Sequence, residues 1–114
     1  PNVSMVIPNL CNDAHDCSLA TADSWFKARM QSILASQDWK SGKLLVVLTA
    51  DEDDKNSNNK VLTVVMHPSL KGKVKSCKLT HYSLSRLYSE VTHSTPILNA
   101  KDANSMKTCF GLPI

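Results

Sequence analysis

The chain has 114 residues, enough for one domain with a modest core. Its hydrophobic fraction of 42% and charged fraction of 20% are ordinary for a soluble globular protein. The net charge of +3 is too weak to argue for nucleic acid, since only Arg29 and Arg86 offer planar bidentate donors, and no apolar run approaches the roughly 20 residues of a transmembrane helix.

The chain opens at Pro1 with no Met and no signal peptide, which points to an upstream portion already removed. Residues 2–7 read as a short strand closed by Pro8. A polar loop from Asn9 to Ser18 follows, carrying Asp13, His15 and Asp16. Asp23 is a candidate N-cap for a helix to about Ser36, with Phe26, Met30, Ile33 and Leu34 at helical spacing on its buried face. Ser41-Gly42 breaks the chain. Lys43 to Thr49 is an unbroken apolar run, the pattern of a strand buried on both faces. The acidic run Asp51-Glu52-Asp53-Asp54 follows directly, then an asparagine-rich loop to Lys60.

Val61 to Met66 reads as a second buried strand. Lys71 to Lys78 holds four lysines around Val74 and Cys77, as an edge strand would; such a stretch also suits an anionic substrate or membrane surface, the solvated edge being the simpler reading. Thr80 is placed to cap a helix from His81 to about Thr92, with Leu84, Leu87, Tyr88 and Val91 facing the core. Asp102 is a candidate cap for one last short helix closed by Gly111 and Pro113. The order of elements implies an α/β sheet with helices packed on its faces.

Four cysteines, Cys11, Cys17, Cys77 and Cys109, allow three pairings, and sequence alone does not choose among them. None has the C-x-x-C spacing of a zinc ribbon or redox motif, so disulfides in an oxidising compartment are the better reading. Pairing Cys11 with Cys17 would staple one tight loop. Cys77 and Cys109 would then tie the last segment back to the middle of the chain. The sequon Asn2-Val3-Ser4 would accept a glycan in a eukaryotic secretory pathway.

Three places carry chemistry. Asp51 and Glu52 follow a strand directly, where α/β sheets bind ligands, and adjacent carboxylates suit a hard cation; a solvated acidic turn is the plainer alternative. His15, bracketed by Asp13 and Asp16, suits a metal ligand or a general acid. His81 opens a helix, where anions are attracted. His67 and His93 read as structural. No G-x-S-x-G, P-loop or H-E-x-x-H is present.

Four strings occur in order: Pro8-Asn9-Leu10-Cys11-Asn12-Asp13-Ala14-His15-Asp16-Cys17, Thr21-Ala22-Asp23-Ser24-Trp25, Thr49-Ala50-Asp51-Glu52-Asp53-Asp54 and Thr80-His81-Tyr82-Ser83-Leu84-Ser85-Arg86-Leu87-Tyr88. Together they resemble the carboxy-terminal half of the bacterial phosphoesterase family. That family includes secreted acid phosphatases, phosphatidylinositol-3-phosphatase-like proteins and phosphatidylcholine-hydrolysing phospholipase C, within the alkaline phosphatase superfamily. The resemblance runs over nearly the whole chain, to Phe110-Gly111-Leu112-Pro113.

It implies that residues 1–114 form one partial domain, the carboxy-terminal portion of an alkaline-phosphatase-like α/β/α sandwich. It implies a secreted or periplasmic protein hydrolysing phosphate monoesters or phospholipid-type esters. Asp51 and Glu52 match the family's metal-binding pair for a divalent ion. His15 matches its phosphate-site His, and His81 the His of its His-Tyr-Ser helix start. The implied mechanism is metal-assisted attack on phosphorus by a Ser or Thr. Two positions depart from the pattern: Ala50 stands where a bulky aromatic is usual, and Ala22 where a Gly is common. The family's amino-terminal half carries the Glu-Asn metal pair and the nucleophile, and this chain has neither. The chain is thus expected to be inactive alone, and its partner to be the missing amino-terminal part of the same enzyme. A non-catalytic binding module or remnant is the alternative.

Overall fold

The computed structural model describes residues 1–114. The chain is α/β, with four α-helices, one 3-10 turn and a two-stranded sheet. It divides into two units, Pro1–Lys43 and Leu44–Ile114.

In the first unit, residues 2–7 form no strand. Met5, Val6 and Ile7 lie exposed, so the apolar pattern has no partner strand within this chain to pair with. The helix α1 spans Leu19–Ala35 and starts four residues before Asp23. Ser18 is the cap: its Oγ accepts the Thr21 N–H at 3.2 Å, which satisfies an orphan donor and leaves Asp23 inside the helix. Of the expected buried face, Met30 is buried, Phe26 and Ile33 are half-buried, and Leu34 is exposed. Ser36 ends α1 and caps α2 (Gln37–Lys40). Its hydroxyl donates to Ile33 O at 2.6 Å and accepts from Trp39 N–H at 3.2 Å. On α1 the Arg29 guanidinium lies 5.4 Å from the Trp25 ring centre, a cation–π contact one helical turn apart.

In the second unit, β1 (Val46–Leu48) pairs antiparallel with β2 (Val64–Met66), in the register Val46 to Met66 and Leu48 to Val64. Both strands are shorter than their apolar runs and half-buried. The run from Lys43 therefore does not mark a strand sandwiched between layers here. One face suffices to explain it: Leu45, Val47 and Val65 pack on the core made by Leu87, Met106 and Leu112.

Helix α3 spans His81–Thr92, as its periodicity implies. Leu87 is buried, with Leu84 and Val91 against the same cluster. At its start Ser83 Oγ accepts the Thr80 N–H at 3.1 Å. At its end His93 takes the left-handed conformation, φ 55°, a position His tolerates better than branched residues do. The last helix, α4, spans Met106–Phe110 and is capped by Ser105, whose Oγ accepts from Thr108 N–H at 3.1 Å, not by Asp102. Asp102 lies in the turn after the 3-10 segment Leu98–Ala100, too early to reach the first free amides of α4. Gly111 closes α4 with φ 66°, as the Gly-Leu-Pro ending suggests.

The lysine stretch is also not a strand. Residues 71–80 are irregular, and Gly72 takes φ 57°. They are tied down by the Cys77–Cys109 disulfide and by Asn104 Nδ2, which donates to Lys78 O at 2.7 Å. The other disulfide joins Cys11 to Cys17, so the structure selects one of the three pairings that the sequence left open.

Leu87→Ala should lower stability by about 2–5 kcal/mol, because it removes the central side chain of the second unit's core. Leu62→Ala, at a 73% exposed position, should change it by under about 0.5 kcal/mol. Urea unfolding of the oxidised chain measures both.

Candidate functional site

The loop of the first unit is built by its own side chains. Asn9 O accepts from the amides of Asn12 and Asp13, at 2.9 and 3.1 Å, and Asp16 N–H returns to Leu10 O at 2.8 Å. Asp13 Oδ1 accepts the His15 amide at 2.8 Å. Between them Ala14 is forced to φ 71°. The Cys11–Cys17 bridge closes this loop of six residues' separation. His15 Nδ1 donates to Asp16 Oδ1 at 2.7 Å, with the two side chains 71% and 58% exposed. That bond orients the ring and selects its tautomer; in open solvent it contributes little to stability.

In the second unit the strand pair is prolonged by a hydroxyl bond, Thr49 Oγ1 to Thr63 Oγ1 at 3.0 Å. The acidic run then divides its work. Asp53 is a loop-builder: its two carboxylate oxygens accept Lys55 N–H at 3.1 Å and Ser57 N–H at 2.6 Å, while its own amide donates to Asn59 Oδ1 at 3.1 Å. Asp54 binds Asn56 through both the Asn56 side chain, 3.0 Å, and its amide, 3.2 Å. These bonds hold the Asp54 carboxyl below its ordinary range, the side-chain bond contributing most. Lys55, Asn58 and Asn59 all have positive φ, which explains the asparagine content of the loop.

Asp51 and Glu52 are different. Both are exposed. Asp51 Oδ1 accepts only the adjoining Glu52 amide, at 2.9 Å. The backbone beneath them is held from α3: His81 Nε2–H donates to Asp51 O at 2.8 Å, across 30 residues of sequence. This places the first residue of α3 against the end of the β1 segment. A cleft of about 250 Å³ opens beside it, lined by Thr49, Lys60, Thr63, Thr80, His81 and Leu84 among others. It is a little smaller than the roughly 300 Å³ at which pockets for drug-sized ligands begin, and apolar Val47, Val61, Leu79 and Met106 share its wall with the polar residues.

Two of the sequence candidates, Asp51 and His81, thus come together, through the Asp51 carbonyl rather than its carboxylate. Glu52 lies beside them. His15 belongs to the other unit. The oxygen donors of Asp51 and Glu52 fit a hard cation by type. They do not complete a cage: no group of three or more His, Cys, Asp or Glu in the chain is close enough to hold an ion. His67 is structural, as expected, buried with Nδ1 2.7 Å from Ser69 Oγ. Sequence reasoning passed over Thr49, Thr63 and Lys60 as cleft residues. It also passed over Arg86, whose guanidinium holds Glu90 at 3.1 Å and Ala103 O at 2.8 Å, tying α3 to the turn before α4. Only the Arg86–Glu90 spacing of four residues was readable beforehand.

Asn56→Ala should raise the Asp54 pKa toward the ordinary carboxylate value, read by carboxyl-carbon NMR titration. Because the folded-state pKa is the depressed one, loop order from this contact is present above the unfolded-state pKa. It is lost as pH falls through the folded-state value, and Asn56→Ala should weaken that pH dependence, the backbone amide bond at residue 56 remaining.

A model of the phosphoesterase family matches residues 1–88, which include the His15 loop, the Asp51-Glu52 pair and the start of α3. The chain is 36% identical over 85 residues to a phosphatidylinositol-3-phosphatase of Mycobacterium tuberculosis, covering 74% of this chain and 27% of that protein. It is 34% identical over 89 residues to a phosphate-repressible acid phosphatase of Penicillium chrysogenum, covering 74% and 21%. It is 28% identical over 89 residues to an acid phosphatase of Aspergillus fumigatus, covering 74% and 20%. The chain therefore spans about a quarter of the length of these relatives. No solved structure matches it significantly. With the family model covering well over half of the chain, the chain belongs to the phosphoesterase family.

Proposed function

We propose that the chain is the part of a metal-dependent phosphoesterase that supplies two oxygen ligands, Asp51 and Glu52, to a divalent cation. The reading is carried by one observation: these two carboxylates stand exposed at the end of the β1 segment, on backbone fixed by the His81 bond, while Asp53 and Asp54 are consumed in building the loop. The bound ion would stabilise negative charge on the transferring phosphoryl group. The remaining ligands and the nucleophile would come from the rest of the parent protein, so this chain alone is expected to be inactive.

The histidines take different parts. His81 is a positioning residue for the Asp51 backbone; only as the imidazolium, with Nδ1–H as a second donor, would its ring also bond a phosphate oxygen in the cleft that it lines. His15, oriented by Asp16, fits the phosphate donor or general acid that the sequence resemblance assigns to it. Phosphate esters are the substrate class, as the names of the related phosphatases support. Both monoesters and phospholipid-type esters remain within that class. Two disulfides suit a secreted or periplasmic site of action.

In the full-length protein, Asp51→Ala and Glu52→Ala should each lower phosphatase activity by more than about 100-fold, since even residues behind the ligands of a metal commonly cost 10–100-fold. Added divalent metal should restore part of it. Unchanged activity in Asp51→Ala would remove that residue from the metal site. Asp53→Ala should instead show itself as faster amide exchange at Lys55 and Ser57.

A further inference from the structure

Four of the nine basic residues of the second unit fall on one irregular loop with an exposed apolar residue at its centre. No Asp or Glu lies between Asp54 and Glu90, whereas Lys71, Lys73, Lys75 and Lys78 fall within eight residues. All four lysines are exposed, and none enters an ion pair; the two pairs of the chain are His15–Asp16 and Arg86–Glu90. At the centre of the loop Val74 is 98% exposed. An apolar side chain at that exposure is not packing against this fold. The loop is nonetheless anchored. Leu70 packs on the core at one end, and the Cys77–Cys109 bridge and the Asn104 bond to Lys78 O hold the other. Gly72, at φ 57°, lets the chain turn between them.

We infer that residues 71–78 are a docking loop for an anionic lipid surface, with the lysines against the headgroups and Val74 entering the interface. The charge is complementary to acidic lipid, and an apolar tip ringed by lysines is what an interfacial anchor needs. Lysine stems lie along apolar surface while their ammonium groups stay hydrated. Tethering at both ends reduces the ordering lost on binding. The other polyanion, single-stranded nucleic acid, is disfavoured by composition: the loop has no aromatic residue to stack on a base and no Arg. This inference stands apart from the metal site, since partitioning rather than hydrolysis is what reveals it.

The test is sedimentation of the full-length protein, disulfides intact, with vesicles of phosphatidylcholine alone or with phosphatidylserine. Binding is expected to the mixed vesicles and not to neutral ones. At about 1 kcal/mol per lysine, with tenfold per 1.4 kcal/mol, K73Q combined with K75Q should weaken it roughly 25-fold. V74S should weaken it by about threefold or more, through lost apolar burial. That loss should persist in high salt, where the lysine contribution is screened. These positions are exposed, so unfolding midpoints should match the parent protein's. Equal partitioning of the variants and the parent protein overturns the inference. So does equal binding to neutral vesicles, or tighter binding to single-stranded DNA than to anionic vesicles.

Discussion

The second unit depends on the burial of one face of α3. Leu87 is 2% exposed and meets Met106 and Leu112, with Leu45, Val47 and Val65 of the sheet segments against the same cluster. A two-stranded ribbon has little stability by itself, and it is the helix that covers its apolar face. Once α3 is seated there, its first residue is fixed too. His81 then reaches the Asp51 carbonyl, and the end of β1 is held where the acidic run begins. Core packing and the candidate site are therefore one mechanical system. Arg86 reinforces it from the same helix by gripping the turn that leads into α4.

The acidic run shows why four like residues need not share one role. Carboxylates that can accept two or more backbone amides from a tight turn are held by it. Asp53 is in that position, and Asp54 is held by one backbone amide and the side-chain amide of Asn56, because positive-φ asparagines and Lys55 fold the chain back over them. Asp51 and Glu52 precede the turn and escape it. Their exposure is what makes them available as ligands in the proposed role. The short hydroxyl ladder of Thr49 and Thr63 carries the strand pairing out to this point and forms part of the cleft wall.

The two disulfides act at different scales. Cys11–Cys17 closes a loop of small separation, whose shape is already prescribed by Asn9, Asp13 and Asp16. Cys77–Cys109 spans 32 residues and joins an otherwise irregular segment to α4. Cross-links that close longer loops restrict the unfolded chain more. Here the long one also keeps a lysine-rich loop in place without the hydrogen bonds of a strand.

Much of this chain was legible in its sequence. The 3.6-residue spacing of Leu84, Leu87 and Val91, with Thr80 ahead of them, defined α3 almost to the residue, because helical periodicity and capping are local. Gly111 at the close of α4 was equally local, and the ordered motifs around Cys11, Asp51 and His81 carried the family. The two strand errors share one cause. Residues 2–7 and 71–78 read as strands, yet a strand requires a partner that local pattern does not supply, and neither segment has one. Asp23 and Asp102 are acceptable caps, but Ser18 and Ser105 stand nearer the first free amides of their helices. Which carboxylates build the loop, which are exposed, and that His81 holds Asp51 across 30 residues were decided only by tertiary structure. Each depends on where the packing of α3 brings distant backbone together. The acidic pair and its ordered neighbours were set by sequence alone, since residue type and chain order are all that they require.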